Sequence, residues 1–335
     1  MTGIINRFYR NTLMKKTLVK RVKMIAAGCL ALACSLSVQA EELFPEDIFV
    51  TLKDSGEIAQ YAGQDVWKGD PVMLYNAITP DGKRLVVSSP KTASIYVFDT
   101  ATHKRLAKVK VGKASKGLKV SPDGKEVYVA NEAEATVSVV SLERYEVMAT
   151  IPVDKTPHNV RFSPDGRKAY VTMQGGAGLG VIDTHSRKYI KVIPTPGIPN
   201  PHNLDLSDDG NTAYIRDVSN VVGVLDLKTE KIVKVITVGH GHAGIDIAPG
   251  GKYIYTGSIA GDTVTVIDAL SLKIVKTIKV GYGPHGVRVS KDGRWLYVVL
   301  TSEDKLVVVD TRSLTIAKQF SVASFPFWIA VTGNP

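Results

Sequence analysis

Imidazole is the group in this chain best suited to hold a metal such as zinc, copper or iron, and its placement is uneven. Five of the seven histidines fall in one recurring segment: His158 in Pro157-His158-Asn159, His202 in Pro201-His202-Asn203, His240 and His242 in Gly239-His240-Gly241-His242, and His285 in Pro284-His285-Gly286. His158, His202 and His285 share one repeat position; in the intervening unit that position is Ala243, with His242 one residue earlier and His240 three earlier. Four neutral imidazoles would complete a closed metal site, and three with an open position could do chemistry. Duplication offers a plainer origin, since one histidine at a tolerant position is copied with its repeat. That accounts for His158, His202 and His285 but not for His240 and His242. His103 and His185 lie elsewhere, in turns between outer strands.

A second set of candidates follows the second strand of each unit: Ser89, Asn131, Met173, Arg216-Asp217, Ser258 and Leu300. Arg216 could hold a carboxylate or phosphate bidentately. Asp217 could act as a base or orient a histidine. A local ion pair is the simpler reading of the two. Met173 is either a soft copper ligand or ordinary packing. Lys116, Phe327 and Trp328 stand where other units carry histidine and its neighbour, with Tyr61 and Trp67 expected near them. These make either a funnel with imidazoles on one side and aromatics on the other, or only the packing of the closing unit.

The elements that position these residues are strands. An Asp-Gly type turn recurs at Asp81-Gly82, Asp123-Gly124, Asp165-Gly166, Asp209-Gly210, Gly250-Gly251 and Asp292-Gly293, with spacings of 42, 42, 44, 41 and 42. A second mark, Asp99, Ser141, Asp183, Asp226, Asp268 and Asp310, keeps spacings of 42, 42, 43, 42 and 42. Each unit resolves into short runs of alternating β-branched residues bounded by Asp, Gly and Pro turns. Four strands per unit, repeated, read as a propeller.

Six complete units begin near Asn76, Gly117, Asn159, Asn203, Gly244 and Gly286. One further first strand, Trp328 to Val331, stands at the C-terminus, and strands over Ile48–Leu52, Glu57–Tyr61 and Asp65–Lys68 supply its complement. The expected fold is therefore all-β: a seven-bladed propeller with four antiparallel strands per blade, its closing blade shared by N- and C-terminal strands. Such closure removes exposed sheet edges. In that geometry the histidine loops and the ends of the second strands share one face, and the Asp-Gly turns occupy the other.

Tyr128-Val129-Ala130-Asn131, Tyr170-Val171-Thr172-Met173 and the Ser-Pro-Asp-Gly turns resemble the YVTN-family β-propellers over about residues 45–335. Propellers of this general shape include surface-layer and binding proteins, lactonases, and domains of haem nitrite reductases and copper nitrous oxide reductase. The resemblance implies an architecture and leaves activity open.

Charge and cysteine content narrow the classes. The chain carries +10, but residues 1–40 hold seven Lys/Arg and no acid, leaving 35 basic against 32 acidic residues beyond them, or +3. That balance gives no general footprint for nucleic acid. A basic stretch from Lys15 to Lys23, an apolar run from Met24 to about Leu36 and Val38-Gln39-Ala40 read as a signal peptide cleaved after Ala40, leaving 41–335 as a single propeller domain and no membrane span. The apolar run falls short of the roughly 20 residues that a membrane anchor takes. Both cysteines, Cys29 and Cys34, lie inside that segment, so the mature chain has no thiol and no covalent c-type haem. Lipidation at Cys34 would need a better box than Ala31-Leu32-Ala33. No phosphate loop, dinucleotide motif or nucleophile elbow is present. Gly175 to Gly180 reads as a loop between strands.

Three functions are consistent with these residues. The first is a periplasmic or secreted binding protein holding copper, zinc or a haem that is not of c type in the His-lined funnel, for delivery to or maturation of another exported metalloprotein. The second is an enzyme using the same funnel for metal-dependent redox chemistry, hydrolysis or lactone opening, with Arg216 and Asp217 positioning a small molecule. The third is a non-catalytic scaffold for proteins or polymers.

Overall fold

Alternation of Val, Ile and Tyr with small or polar residues gives each run two faces, and in this molecule both faces of the middle strands are buried between neighbouring sheets. The computed structural model describes residues 44–61, 65–176 and 178–334; the expected signal segment, both cysteines and the Ala40 cleavage point lie outside the described residues. The chain divides after Pro45, and the second unit, Glu46–Pro335, is the propeller.

Seven four-stranded antiparallel sheets make up the described structure. Six follow chain order, and we number them from blade one, Asn76–Lys110, through blade two, Ser115–Pro152, blade three, Pro157–Ile193, blade four, Pro201–Thr237, blade five, Ile245–Lys279, and blade six, Pro284–Ser321. The closing sheet joins Pro326–Val331 as its inner strand to Ile48–Leu52, Glu57–Tyr61 and Asp65–Lys68. Its seam pairs Ile48 with Val331, Val50 with Ile329 and Thr51 with Trp328. The Thr51 hydroxyl donates to the carbonyl of Leu74 at 2.5 Å, tying the seam to the segment that enters blade one.

The core lies between blades. Val86, Ile95 and Val97 of blade one pack with Leu118, Val127 and Val129 of blade two, and comparable clusters fill the other interfaces. The fourth strands, such as Lys273–Lys279, are largely exposed and there carry Lys at every third position, which blunts an otherwise open edge. Among the described residues no helix is long and apolar enough to cross a membrane.

The Asp-Gly turns act as expected. In Ser121-Pro122-Asp123-Gly124 the Asp123 carboxylate accepts from the Ser121 hydroxyl at 2.6 Å and from Lys125 N at 3.1 Å, and Gly124 sits at φ 73°. Blade five has Pro249-Gly250-Gly251 instead, and there Gly250 N donates to Asp208 of the preceding blade at 3.0 Å.

The inner strands depart from regular pairing in a way that bears on function. In blade three Pro157 pairs with Met173 but Val160 with Val171, so one extra residue is accommodated between them. The same insertion occurs between Ser115 and Leu118, between Pro201 and Asn203, and between Pro284 and Val287. A bulge of this kind re-aims side chains and breaks strict two-residue alternation. The inner strands also begin at Pro157, Pro201 and Pro284, so His158, His202 and His285 are strand residues at the bulge rather than loop residues. Trp67 and Tyr61 stand away from the funnel: Trp67 stacks on His103 at 4.2 Å, and Tyr61 meets Phe320 at 6.3 Å.

Candidate metal centre

Four imidazoles form a continuous run across one mouth of the channel. Ring centroids are 3.8 Å apart for His158 and His202, 4.4 Å for His202 and His242, and 5.3 Å for His242 and His285. His240 is exposed and lies outside the set that could share an ion. Ligand atoms of His202, His242 and His285 all lie within 4.8 Å of one another. Some point is then within about 2.8 Å of all three (4.8/√3), against roughly 2.0–2.1 Å in a zinc–imidazole bond. Small rotations of the rings would close the difference.

The hydrogen bonds separate these rings into committed and available donors. His158 Nδ1 lies 3.0 Å from Glu132 Oε1, and its Nε2 lies 2.8 Å from the Tyr75 hydroxyl. Burial holds the His158 imidazole below its usual value, against the pull of Glu132, so it is neutral. A carboxylate only accepts, so Nδ1 carries the proton and the Tyr75 hydroxyl donates to Nε2. Burial works against the Glu132 carboxylate, but His158 and Lys116, whose Nζ is 3.5 Å away, hold its pKa down. Both nitrogens of His158 are therefore occupied.

His285 is arranged differently. Its Nδ1 donates to the Phe327 carbonyl at 2.8 Å, which leaves Nε2 as a bare lone pair, buried and without a partner. His202 is buried with neither ring nitrogen hydrogen-bonded. Unpaired buried nitrogens cost free energy unless something occupies them. Burial first, and then neighbouring positive charge, lowers the pKa of His242 to about 4; burial, together with His242, lowers that of His285 to about 3. The same causes push His202 well below its usual range. All three are neutral at pH 7, the form that binds metals.

The cavity lined by His158, His202 and His242 holds about 490 Å³, and His285 lies behind His242. Its wall combines an apolar side, Val72, Leu74 and Phe327, with Lys53, Lys116 and Gln174. Phe327 stands 4.3 Å from the His285 ring and 5.4 Å from Tyr75, so it lines the funnel, while Trp328 packs beneath at 4.7 Å from Tyr75. Tyr75 and Glu132 are central to this site, and sequence reasoning missed both. Tyr75 stands at the histidine position of blade one, immediately before Asn76, and aligning that unit would have found it.

Arg216 and Asp217 are hydrogen-bonded to backbone groups of the surrounding loops. The Arg216 side chain is fully buried and donates to the carbonyls of Val221 at 3.1 Å, Gly239 at 2.7 Å, and Gly241. It thereby fixes the loop that carries His240 and His242. Asp217 accepts from Asn200 N at 2.7 Å and from Ser219 N at 2.8 Å. Both side chains bond to backbone groups. Met173 is wholly buried in the hydrophobic cluster between blades two and three.

Comparison with known proteins divides the chain. Residues 47–209 match the YNCE-like beta-propeller family model, and residues 208–327 match the Cytochrome D1 heme domain model. Neither model spans half of the chain. Among solved structures, hydrazine synthase of Kuenenia stuttgartiensis is 22% identical at a TM-score of 0.72, covering 78% of this chain and 90% of its own. Dihydro-heme d1 dehydrogenase NirN in complex with DHE is 20% identical at 0.66, covering 86% and 75%. A functionally unknown protein from Desulfotomaculum acetoxidans is 16% identical at 0.75, covering 87% and 100%. No curated protein matches the chain. At these identities the likeness establishes the propeller fold.

Proposed function

We propose that the chain is an exported propeller that binds a metal cofactor of haem type, not covalently attached, in the funnel above His202, His242 and His285. The observation that carries this reading is a set of buried, neutral imidazole nitrogens with no partner at the foot of a cavity of about 490 Å³. The residues present fit such a group. His202 offers a free nitrogen to iron, Val72, Leu74 and Phe327 offer an apolar wall, and Lys53 offers a cation for a carboxylate side group. The match of residues 208–327 to a haem domain model, and the solved structure bound to DHE, support the same choice. When bound, such a cofactor supplies redox and ligand-binding chemistry at its iron.

We assign the protein to holding or transferring the cofactor, for an exported partner metalloprotein, rather than to turnover. Arg216 and Asp217 are spent on backbone, and His158, Tyr75, Glu132 and Lys116 are spent on one another. A bare copper or zinc ion is the second reading, favoured by three imidazoles converging within 4.8 Å. Protein recovered from the exported fraction separates the two. An intense visible chromophore with equimolar iron supports the haem-type reading, and colourless zinc or copper at one per chain supports the bare ion. Neither pigment nor metal, even after reconstitution, would overturn both.

A further inference from the structure

Four side chains on the wall of the funnel, Tyr75, His158, Glu132 and Lys116, form one chain of polar contacts, and all four line the same cavity. The Tyr75 hydroxyl donates to Nε2 of His158 at 2.8 Å, and Nδ1 of His158 donates to the Glu132 carboxylate at 3.0 Å. Lys116 Nζ stands at the far end, 3.5 Å from Glu132. The order is phenol, neutral imidazole, carboxylate and ammonium: a weak acid, then a base, then the charges that support the base. Holding a metal makes no use of this order, since both nitrogens of His158 are occupied. Packing does not call for it either. Burying the Tyr75 phenol and the His158 imidazole costs desolvation that apolar side chains of similar size would avoid.

A phenol that loses an electron becomes a strong acid, so its oxidation is favoured where a base already holds the hydroxyl hydrogen. His158 Nε2 does so within the reach of direct proton transfer. Burial first, and then the Glu132 charge, hold the Tyr75 phenol far above its usual range. No phenolate is at hand, and the proton must leave together with the electron. An imidazolium formed at His158 would face the Glu132 carboxylate at 3.0 Å, which meets the new positive charge. The surroundings give the electron close π-systems on both sides. The Tyr75 ring lies 4.7 Å from Trp328 and 5.4 Å from Phe327, and His158 stacks on His202 at 3.8 Å.

We propose that Tyr75 is a redox-active tyrosine that gives one electron to an oxidised transition-metal complex seated in the funnel. The Tyr75 O–H bond breaks, its proton forms a bond to Nε2 of His158, and a neutral tyrosyl radical remains. The metal complex is the oxidant and is reduced by one electron. Glu132, held ionised by Lys116, keeps the imidazole oriented and steadies it once it is protonated. Tyr75 is thus an internal reductant for the held group, and the holding role is unchanged. The assignment rests on the funnel holding a redox-active metal group, but the oxidation of Tyr75 is open to test without one.

The test is flash oxidation of the full, cofactor-free chain by photogenerated ruthenium(III) tris-bipyridine. The radical is trapped by freezing and read by electron paramagnetic resonance. Tyr282, 62% exposed, is replaced in every sample by Tyr282→Phe to remove a competing phenol. In that background Tyr75→Phe, His158→Phe and Glu132→Gln are compared with the parent, and urea unfolding confirms that each folds. The expected result is a tyrosyl signal that loses most of its intensity in Tyr75→Phe. It should form about tenfold more slowly in His158→Phe, the factor that roughly one hydrogen bond is worth in a barrier. Glu132→Gln keeps an acceptor for Nδ1 without its charge and should slow formation by a smaller factor; it carries the comparison if His158→Phe does not fold. Formation should also slow in heavy water, because an O–H bond breaks. An equal signal in Tyr75→Phe would overturn the proposal. So would a rate that neither the His158 and Glu132 variants nor heavy water changes, since a purely structural bond alters stability and not this rate. No cofactor takes part, so a funnel found to hold no metal leaves the outcome as it is, and the two readings fail separately.

Discussion

The Tyr75 hydroxyl sits 2.8 Å from Nε2 of His158 and closes the one ring position that His158 could have offered to a metal. Tyr75 is fully buried, and burial raises its phenol far above the usual range, so it stays a donor at every accessible pH. The contact joins blade one to blade three across the channel mouth. It converts a histidine that matches His202 in the repeat into a wall of the site.

Tyr75→Phe should therefore leave a buried imidazole nitrogen unpaired while keeping the ring packing against Phe327 and Trp328. A loss of about 1–2 kcal/mol is expected, read from the urea midpoint at unchanged slope. A loss below ~0.3 kcal/mol would mean that the hydroxyl is replaced at no cost and the bond does not matter.

Among the histidines, His202→Ala and His285→Ala should each abolish stoichiometric loading of the funnel, and His242→Ala should weaken it about tenfold to a hundredfold. His240→Ala should load like the parent, because His240 is exposed and outside the converging set. Cofactor or metal per chain, measured after purification, decides between these. Equal losses at His240 and His202 would count against the assignment of donors.

Stability of the metal-free protein should fall as pH drops below about 6.5. Free imidazoles take up protons near that value, whereas in the fold His242 does so only near about 4 and His285 near about 3. Between those limits the unfolded chain binds more protons, so each ring costs up to ~1.4 kcal/mol per pH unit as acid is added. The contribution is fully present above pH 6.5. Urea midpoints at pH 7.5, 6.0 and 5.0 would check it, and a His202→Ala/His285→Ala variant should show a shallower slope than the parent.

Arg216→Met removes three buried donors and leaves the carbonyls of Val221, Gly239 and Gly241 without them. A loss of roughly 2–4 kcal/mol is expected. Because Gly239 and Gly241 flank His240 and Gly241 directly precedes His242, the metal affinity of the funnel should also fall, with no change in donor atoms. Unchanged affinity beside lowered stability would show that the loop is set by its other bonds.

Much of this was legible in the sequence. The 42-residue spacing fixed the turns, and Ile48–Leu52, Glu57–Tyr61 and Asp65–Lys68 fall where alternation placed them. The shared closing blade followed from counting strands. The site was legible only by position. That His158 belongs beside His202 comes from the repeat, but that its nitrogens are taken by Tyr75 and Glu132 depends on contacts between blades far apart in the chain. Arg216 stood out as a charged residue among neutral counterparts, and its three bonds to backbone carbonyls could not be read from that contrast. That Lys119, Arg161, Asp205, Asp246 and Arg288 share one position of the inner strands was hidden by the bulges. A two-residue period counted from the histidines points those side chains into the blades, and nothing local marks an extra residue in an inner strand.

The seam of the closing blade also makes the site depend on both ends of the chain. Phe327, which walls the funnel and whose carbonyl accepts the hydrogen bond from His285 Nδ1, belongs to the strand Pro326–Val331, and that strand is held in its sheet by Ile48–Leu52. The velcro that shuts the circle is thus also a wall of the binding mouth, and a chain deprived of Pro326–Val331 would keep its histidines but lose the Phe327 wall and the acceptor that sets the His285 tautomer.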